Sequence, residues 1–152
     1  MTNNPSDSIR LTFDKFIFEF PTALRYSEAG LWMRQENGMV RLGLSDFAQQ
    51  RNGDIAFANL MPTGSVLDAG DEIASIETIK VNISLPSPMN GTIVEVNSML
   101  QDSPELINQD PYGEGWMVVL RVEELERELG KLLDAEAFSR LARQQAEAEL
   151  KS

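Results

Sequence analysis

Glu72-Ile73-Ala74-Ser75-Ile76-Glu77-Thr78, then Ile79-Lys80, then Val81-Asn82-Ile83-Ser84-Leu85 is the stretch that decides the fold. Both flanks read as strands, and Lys80 stands where they meet. The chain has four lysines, Lys15, Lys80, Lys131 and Lys151, so this amine is alone in the central part of the sequence. Its neighbours are Ile79 and Val81, not solvating charges. A single amine at the turn of a hairpin reads as an attachment point, where an ordinary turn lysine is the plainer alternative.

The same turn-strand-turn grammar extends on both sides. Upstream, Leu31-Trp32-Met33-Arg34 and Met39-Val40-Arg41-Leu42 flank Glu36-Asn37-Gly38, and Asn-Gly is a strong hairpin signal. Ser45 or Asp46 is placed to cap a short helix that ends at Asn52-Gly53. Strand-like runs follow at Ile55 to Leu60 and Ser65 to Leu67, and downstream at Thr92 to Val96. Turn clusters separate them, and Pro86 and Pro88 bar one long strand. The two sides of Lys80 are alike enough to suggest a weak internal two-fold about it. Short strands at this spacing predict a mainly β domain over residues 23–121.

The two ends differ from this middle. Residues 1–22 are expected to be an extension, polar and disordered over residues 1–8, then holding a Phe-rich strand. Phe13, Phe16, Phe18 and Phe20 place four of the seven phenylalanines within eight residues. Their rings are expected to pack on the domain or on a second copy. In residues 122–152, Val122, Leu125, Leu129, Leu132 and Leu133 fall at helical spacing, as do Ala137, Phe138, Leu141 and Ala142. Gly130 and the capping candidate Asp134 divide them into two helices. Glu123, Glu124, Glu126 and Glu128 read as a solvated helix face.

Composition narrows the chemistry. With no cysteine and no histidine, the chain has no thiol nucleophile, no His-based triad and none of the usual zinc ligand sets. A net charge of −11 repels phosphate backbones, so nucleic acid is not an expected partner. No apolar run is long enough for a bilayer-spanning helix. The opening residues carry an acid and no basic-then-apolar pattern, which makes the cytoplasm the expected location.

Several ordered motifs resemble one family, the H protein of the glycine cleavage system. Gly43-Leu44-Ser45-Asp46-Phe47-Ala48-Gln49 resembles G-[IL]-[ST]-[DE]-[YFH]-A-Q, and Glu77-Thr78-Ile79-Lys80 resembles E-S-V-K. Gly53-Asp54-Ile55 and Leu60 to Gly64 are similar to G-D-I and L-P-x-x-G, with Met61 inserted. Ser87-Pro88 with Gly91 to Asn97, Pro104 to Asn108, and Asp110 to Trp116 also match in order. The resemblance runs from Tyr26 to Leu132–Phe138, similar to a terminal L-L-D-A-x-x-Y.

The resemblance implies a lipoyl-type barrel-sandwich hybrid of two small antiparallel sheets, with a short helix after the first hairpin and C-terminal helices. It implies a non-catalytic carrier with lipoic acid amide-linked to Lys80, and Glu77 helping a lipoyl- or octanoyltransferase recognise the site. About eleven bonds of roughly 1.5 Å give such an arm a reach on the order of 14 Å. The implied partners are glycine decarboxylase, aminomethyltransferase and dihydrolipoamide dehydrogenase. Tyr112 and Trp116 are read as core packing beside turn glycines.

One departure stands out. Where the family reads Y-x-x-x-H-E-W, this chain has Tyr26-Ser27-Glu28-Ala29-Gly30-Leu31-Trp32, so Gly30 and Leu31 replace a histidine and an acid of the pocket for the loaded arm. That leaves three readings: an H protein with a remodelled pocket, an H-like lipoyl carrier for another system such as heterodisulfide-reductase-like sulfur oxidation, or an unmodified scaffold.

Overall fold

A computed structural model describes residues 7–151 of the chain. The expected disorder of residues 1–8 therefore falls mostly on residues 1–6, outside the described residues, while Ser8 already opens a strand. Strands β1 (Ser8–Phe13) and β2 (Phe16–Pro21) form an antiparallel hairpin, with Leu11 opposite Phe18 and Ile9 opposite Phe20. Next come β3 (Arg25–Tyr26), β4 (Leu31–Glu36) and β5 (Met39–Leu44). The β4–β5 turn is the expected Asn-Gly type, with Asn37 and Gly38 both at positive φ, 52° and 74°.

Helix α1 (Asp46–Asn52) is capped by Ser45, whose hydroxyl accepts from the Ala48 amide at 3.2 Å, and Gly53 closes it at φ 84°. Of the two candidate caps, Ser45 takes the position. Strands β6 (Ile55–Leu60), β7 (Val66–Leu67), β8 (Glu72–Thr78), β9 (Asn82–Pro86) and β10 (Gly91–Val96) then follow as the turn signals predict.

Two short helices, α2 (Met99–Asp102) and α3 (Leu106–Gln109), and strand β11 (Val118–Arg121) complete the middle. The sequence reading missed these three, because four residues are too few to display a period. Helices α4 (Leu125–Gly130) and α5 (Ala135–Lys151) end the chain. Asp134 caps α5 as expected, its carboxylate accepting from the Ala137 amide at 2.8 Å.

The strands form sheets in the orders β3-β4-β5-β11-β10-β7 and β6-β8-β9, with β1-β2 as a separate hairpin, and every pairing is antiparallel. The two main sheets are thus unequal, six strands against three. Alternation places Leu31 with Met33 and Val40 with Leu42 in one core, which Ile76, Leu85 and Ile93 join; an irregularity near the start of β8 lets Ile73 enter it too. A second apolar cluster lies outside it. There Phe18, Phe20, Tyr26, Trp32, Phe47 and Phe138 join the N-terminal hairpin to α1 and α5. Phe18 and Phe20 therefore pack on the chain's own domain, whereas Phe16 stays 43% exposed.

Two phenols pin this second cluster. The Tyr26 hydroxyl donates to the Pro21 carbonyl at 2.7 Å, and the Tyr112 hydroxyl donates to the Glu19 carbonyl at 2.6 Å while accepting from the Asp46 amide. Burial, the largest influence on each, pushes both pKa values above the ordinary phenol value of 10.0. The folded form favours the neutral phenols, so their contribution is complete below about pH 10 and shrinks above it, as the unfolded chain begins to ionise. The melting temperature is expected to fall steeply above about pH 10, with the phenolate absorbance appearing together with unfolding. Ionisation of both tyrosines in the folded protein, ahead of the thermal transition, would contradict this.

Candidate functional site

The β8–β9 hairpin carries Lys80 at its tip. Thr78 builds that tip: its amide donates to the Val81 carbonyl at 2.8 Å, and its hydroxyl accepts from the amides of Lys80 and Val81 at 3.2 and 3.1 Å. The hydroxyl satisfies two turn amides that no strand partner reaches. Ile79, 97% exposed, and Val81, 41% exposed, project on either side of the lysine. Lys80 is itself exposed, and among the described residues it forms no ion pair.

Its ammonium rests on the end of α1. Nζ donates to the Arg51 carbonyl over a long 3.4 Å, at the pole where helix carbonyls lack intrahelical partners and favour a cation. Asn108 holds this helix end. Its side chain donates to the Gly53 carbonyl at 3.0 Å and to Gln49 at 2.9 Å, and accepts from the Ile55 amide at 2.9 Å. The Arg51 side chain turns the other way, donating to Gln145 at 3.0 Å and pairing with Glu149 of α5. Sequence reading missed Thr78, Asn108 and Arg51 as positioning residues. A hydroxyl two places before the lysine was a legible hint for Thr78, but the Arg51 contact is made by a backbone atom and leaves no trace in residue type.

Replacing the Thr78 hydroxyl is therefore expected to loosen the tip without unfolding the hairpin. Thr78→Val should cost about 1 kcal/mol of local order and speed amide hydrogen exchange at Lys80 and Val81 roughly fivefold, whereas Thr78→Ser should keep the wild-type rates. Exchange measured residue by residue reads both, and equal rates for Val and Ser would remove the Thr78 hydroxyl from the tip.

Glu77 is half-buried in β8, opposite Asn82 on one side and Phe57 on the other. Phe57 is 61% exposed and extends the apolar rim along that edge. Gly30 and Leu31 do not line the space beside Lys80. Leu31 is fully buried in the main core, and Gly30 stands at φ 99° with Ala48 so close that an added Cβ would lie 2.9 Å from the alanine Cβ. A histidine at position 30 would need a different path for the loop before β4. Trp116 lies under the Arg41 guanidinium at 4.2 Å, and Tyr112 faces Trp32 at 6.1 Å. Both take the packing role expected of them.

A sequence profile described as "Glycine cleavage H-protein" matches residues 24–145. The chain belongs to that family. It is 40% identical over 124 residues to a glycine cleavage system H protein of Coxiella burnetii, covering 81% of this chain and 95% of the relative. A glycine cleavage system H protein of Geobacillus thermodenitrificans is 42% identical over 119 residues, 78% of this chain and 93% of the relative. The crystal structure of a glycine cleavage system H protein from Mycobacterium marinum superposes with a TM-score of 0.72 at 31% identity, over 84% of this chain and 99% of that one. Members of this family are lipoyl carriers and not catalysts. Among the described residues, no helix is long and apolar enough to cross a membrane.

Proposed function

We infer that Lys80 is the lipoyl attachment site and that the protein carries an aminomethyl group between the enzymes of glycine cleavage. The observation that carries the reading is the presentation of this amine: exposed, without an ionic partner among the described residues, on a tip ordered by Thr78. Amide formation needs a deprotonated amine within reach of a ligase; burial would put the amine out of reach, and an ion pair would hold it protonated.

The residues present fit the group. Ile79, Val81 and Phe57 offer an apolar rim for the attaching enzyme, and Glu77 marks the edge of the hairpin for a lipoyl- or octanoyltransferase. The lipoyl dithiolane supplies the group-carrying and redox chemistry; the protein supplies attachment, aim and shelter. Strands β8 and β9, paired over their lengths, fix the direction from which the arm leaves. Glycine decarboxylase, aminomethyltransferase and dihydrolipoamide dehydrogenase are the partners this role requires, all in the cytoplasm. The net charge of −11 suits docking on basic patches of such enzymes.

Reconstitution tests this directly. Protein lipoylated on Lys80, mixed with glycine decarboxylase, is expected to support exchange of the glycine carboxyl carbon with bicarbonate, and with aminomethyltransferase to complete the transfer. A fully lipoylated protein inert with these enzymes would overturn the glycine-cleavage role and give the arm to another cargo.

A further inference from the structure

The N-terminal hairpin has one edge sealed and one edge bare. In an antiparallel pair, alternate residues turn both backbone groups toward the partner strand, and the residues between turn theirs away. On β2 the outward groups belong to Ile17, Glu19 and Pro21, and the domain satisfies them. Gln50 donates to the Ile17 carbonyl at 3.0 Å, and Asp46 accepts from the Glu19 amide at 2.9 Å. The Tyr112 and Tyr26 hydroxyls donate to the carbonyls of Glu19 and Pro21. Opposite these residues in the register stand Thr12, Arg10 and Ser8 of β1. They therefore turn their own N–H and C=O groups away from β2, and all are exposed. Among the described residues, no strand and no backbone group pairs with that side of β1.

A bare edge is a template for another strand, and proteins that keep one unpaired blunt it with proline, a bulge or unpaired charge. β1 carries none of these. Ser8-Ile9-Arg10-Leu11-Thr12-Phe13 meets β2 in unbroken register, and its one charge, Arg10, is held by Glu19 at 3.0 Å. Charge also selects the occupant. With a net −11, two copies repel over most of their surfaces, yet β1 contains no acid. Self-pairing has one register without conflict. With Leu11 on a two-fold axis, Arg10 faces Thr12 of the second copy, and the two exchange backbone hydrogen bonds on both sides of the axis. Ile9 then faces Phe13 of the second copy on the apolar side, a favourable cross-strand pair. Centring on Arg10 would set two guanidiniums opposite each other, and centring on Ile9 would leave Thr12 unpaired within β1.

We propose that β1 joins the β1 of a second copy edge to edge, antiparallel about a two-fold axis at Leu11, so that two hairpins become one continuous sheet. The contact is isologous and uses up both bare edges, which closes the assembly at a dimer. β1 precedes residues 24–145, the part shared with the family, so the dimer belongs to this chain's own N-terminal extension. It is independent of the lipoyl reading, since Lys80 stands on a different hairpin. Pairing along one short strand is a small junction of the weak, transient kind, so dissociation is expected at ~10–100 µM.

The test is sedimentation velocity of the full-length protein from ~5 to ~500 µM, with residue-resolved amide exchange over the same range. The sedimentation coefficient is expected to rise with concentration. Exchange at the Arg10 and Thr12 amides should slow with it, while the Leu11 amide, already turned toward β2, stays unchanged. Thr12→Lys sets like charges opposite each other and should weaken association roughly tenfold, whereas Thr12→Glu meets Arg10 of the second copy and should tighten it roughly tenfold. An added acid would loosen any non-specific contact between copies of this charge, so the opposite signs identify this edge and this register. Arg10→Pro removes an outward N–H, spares the ladder to β2 and should abolish association. An unchanged melting curve verifies that each variant is folded. Three results would each overturn the dimer: one sedimentation coefficient over the whole range with both amides exchanging freely, association indifferent to both Thr12 substitutions, or amide protection that appears only when a different protein is added.

Discussion

Lys80→Arg is expected to abolish lipoylation and carrier turnover completely while leaving stability within about 0.5 kcal/mol of wild type. The side chain is exposed, and it donates a hydrogen bond to the Arg51 carbonyl, which a guanidinium N–H can also donate. Charge at the end of α1 is therefore kept. Acylation needs a nitrogen lone pair, and the guanidinium, which stays protonated, offers none at neutral pH. The lipoyl mass increment should vanish, glycine-bicarbonate exchange should fall to background, and the urea midpoint should stay in place. Turnover retained by the arginine protein would show that the tether is elsewhere.

The second large effect belongs to packing. Phe138→Ala is expected to cost about 3–5 kcal/mol, the range for removing a buried phenylalanine. Phe138 is 1% exposed, stacks on Tyr26 at 4.8 Å, and meets Phe20 and Phe47 edge-on at 5.5 and 6.4 Å. Such ring pairs add roughly 0.5–1.5 kcal/mol beyond area burial. Domain stabilities are about 5–15 kcal/mol, so this one ring accounts for a large part of the total. The loss should also be local. Phe138 belongs to the cluster that fastens β1–β2 and α5, whereas Ile73, Ile76 and Leu85 belong to the core of the main sheets. Hydrogen exchange should lose protection first in β1, β2 and α5, with β4, β5 and β8 still protected. Uniform loss across all strands would mean that the two clusters unfold as one unit. The space beside Lys80 should open with the same substitution, because Phe18 and Phe47, which line it, belong to that cluster.

These two outcomes separate what a tether requires from what a scaffold requires. The Lys80 substitution removes function and spares the fold, since the tip is held by backbone and Thr78 contacts that do not involve the amine. The Phe138 substitution weakens the scaffold and reaches the site only through it.

Residue order alone gave the alternating strands, the Asn37-Gly38 turn, the Ser45 cap, the Asp134 cap and a lone amine at a hairpin tip. All of these depend on neighbours within a few positions, through side-chain alternation and turn chemistry, so they are written locally. The motifs around Gly43, Lys80 and Asp110 carried the family as well. Strand β11 and helices α2 and α3 escaped because their form depends on what they pack against. Only the folded chain decided that Phe16, Arg51, Lys80 and Leu150 border one cleft, that a backbone carbonyl supports the lysine, and that the glycine at position 30 is held by Ala48. Those meetings join residues far apart in sequence, and long-range packing, not local propensity, selects them.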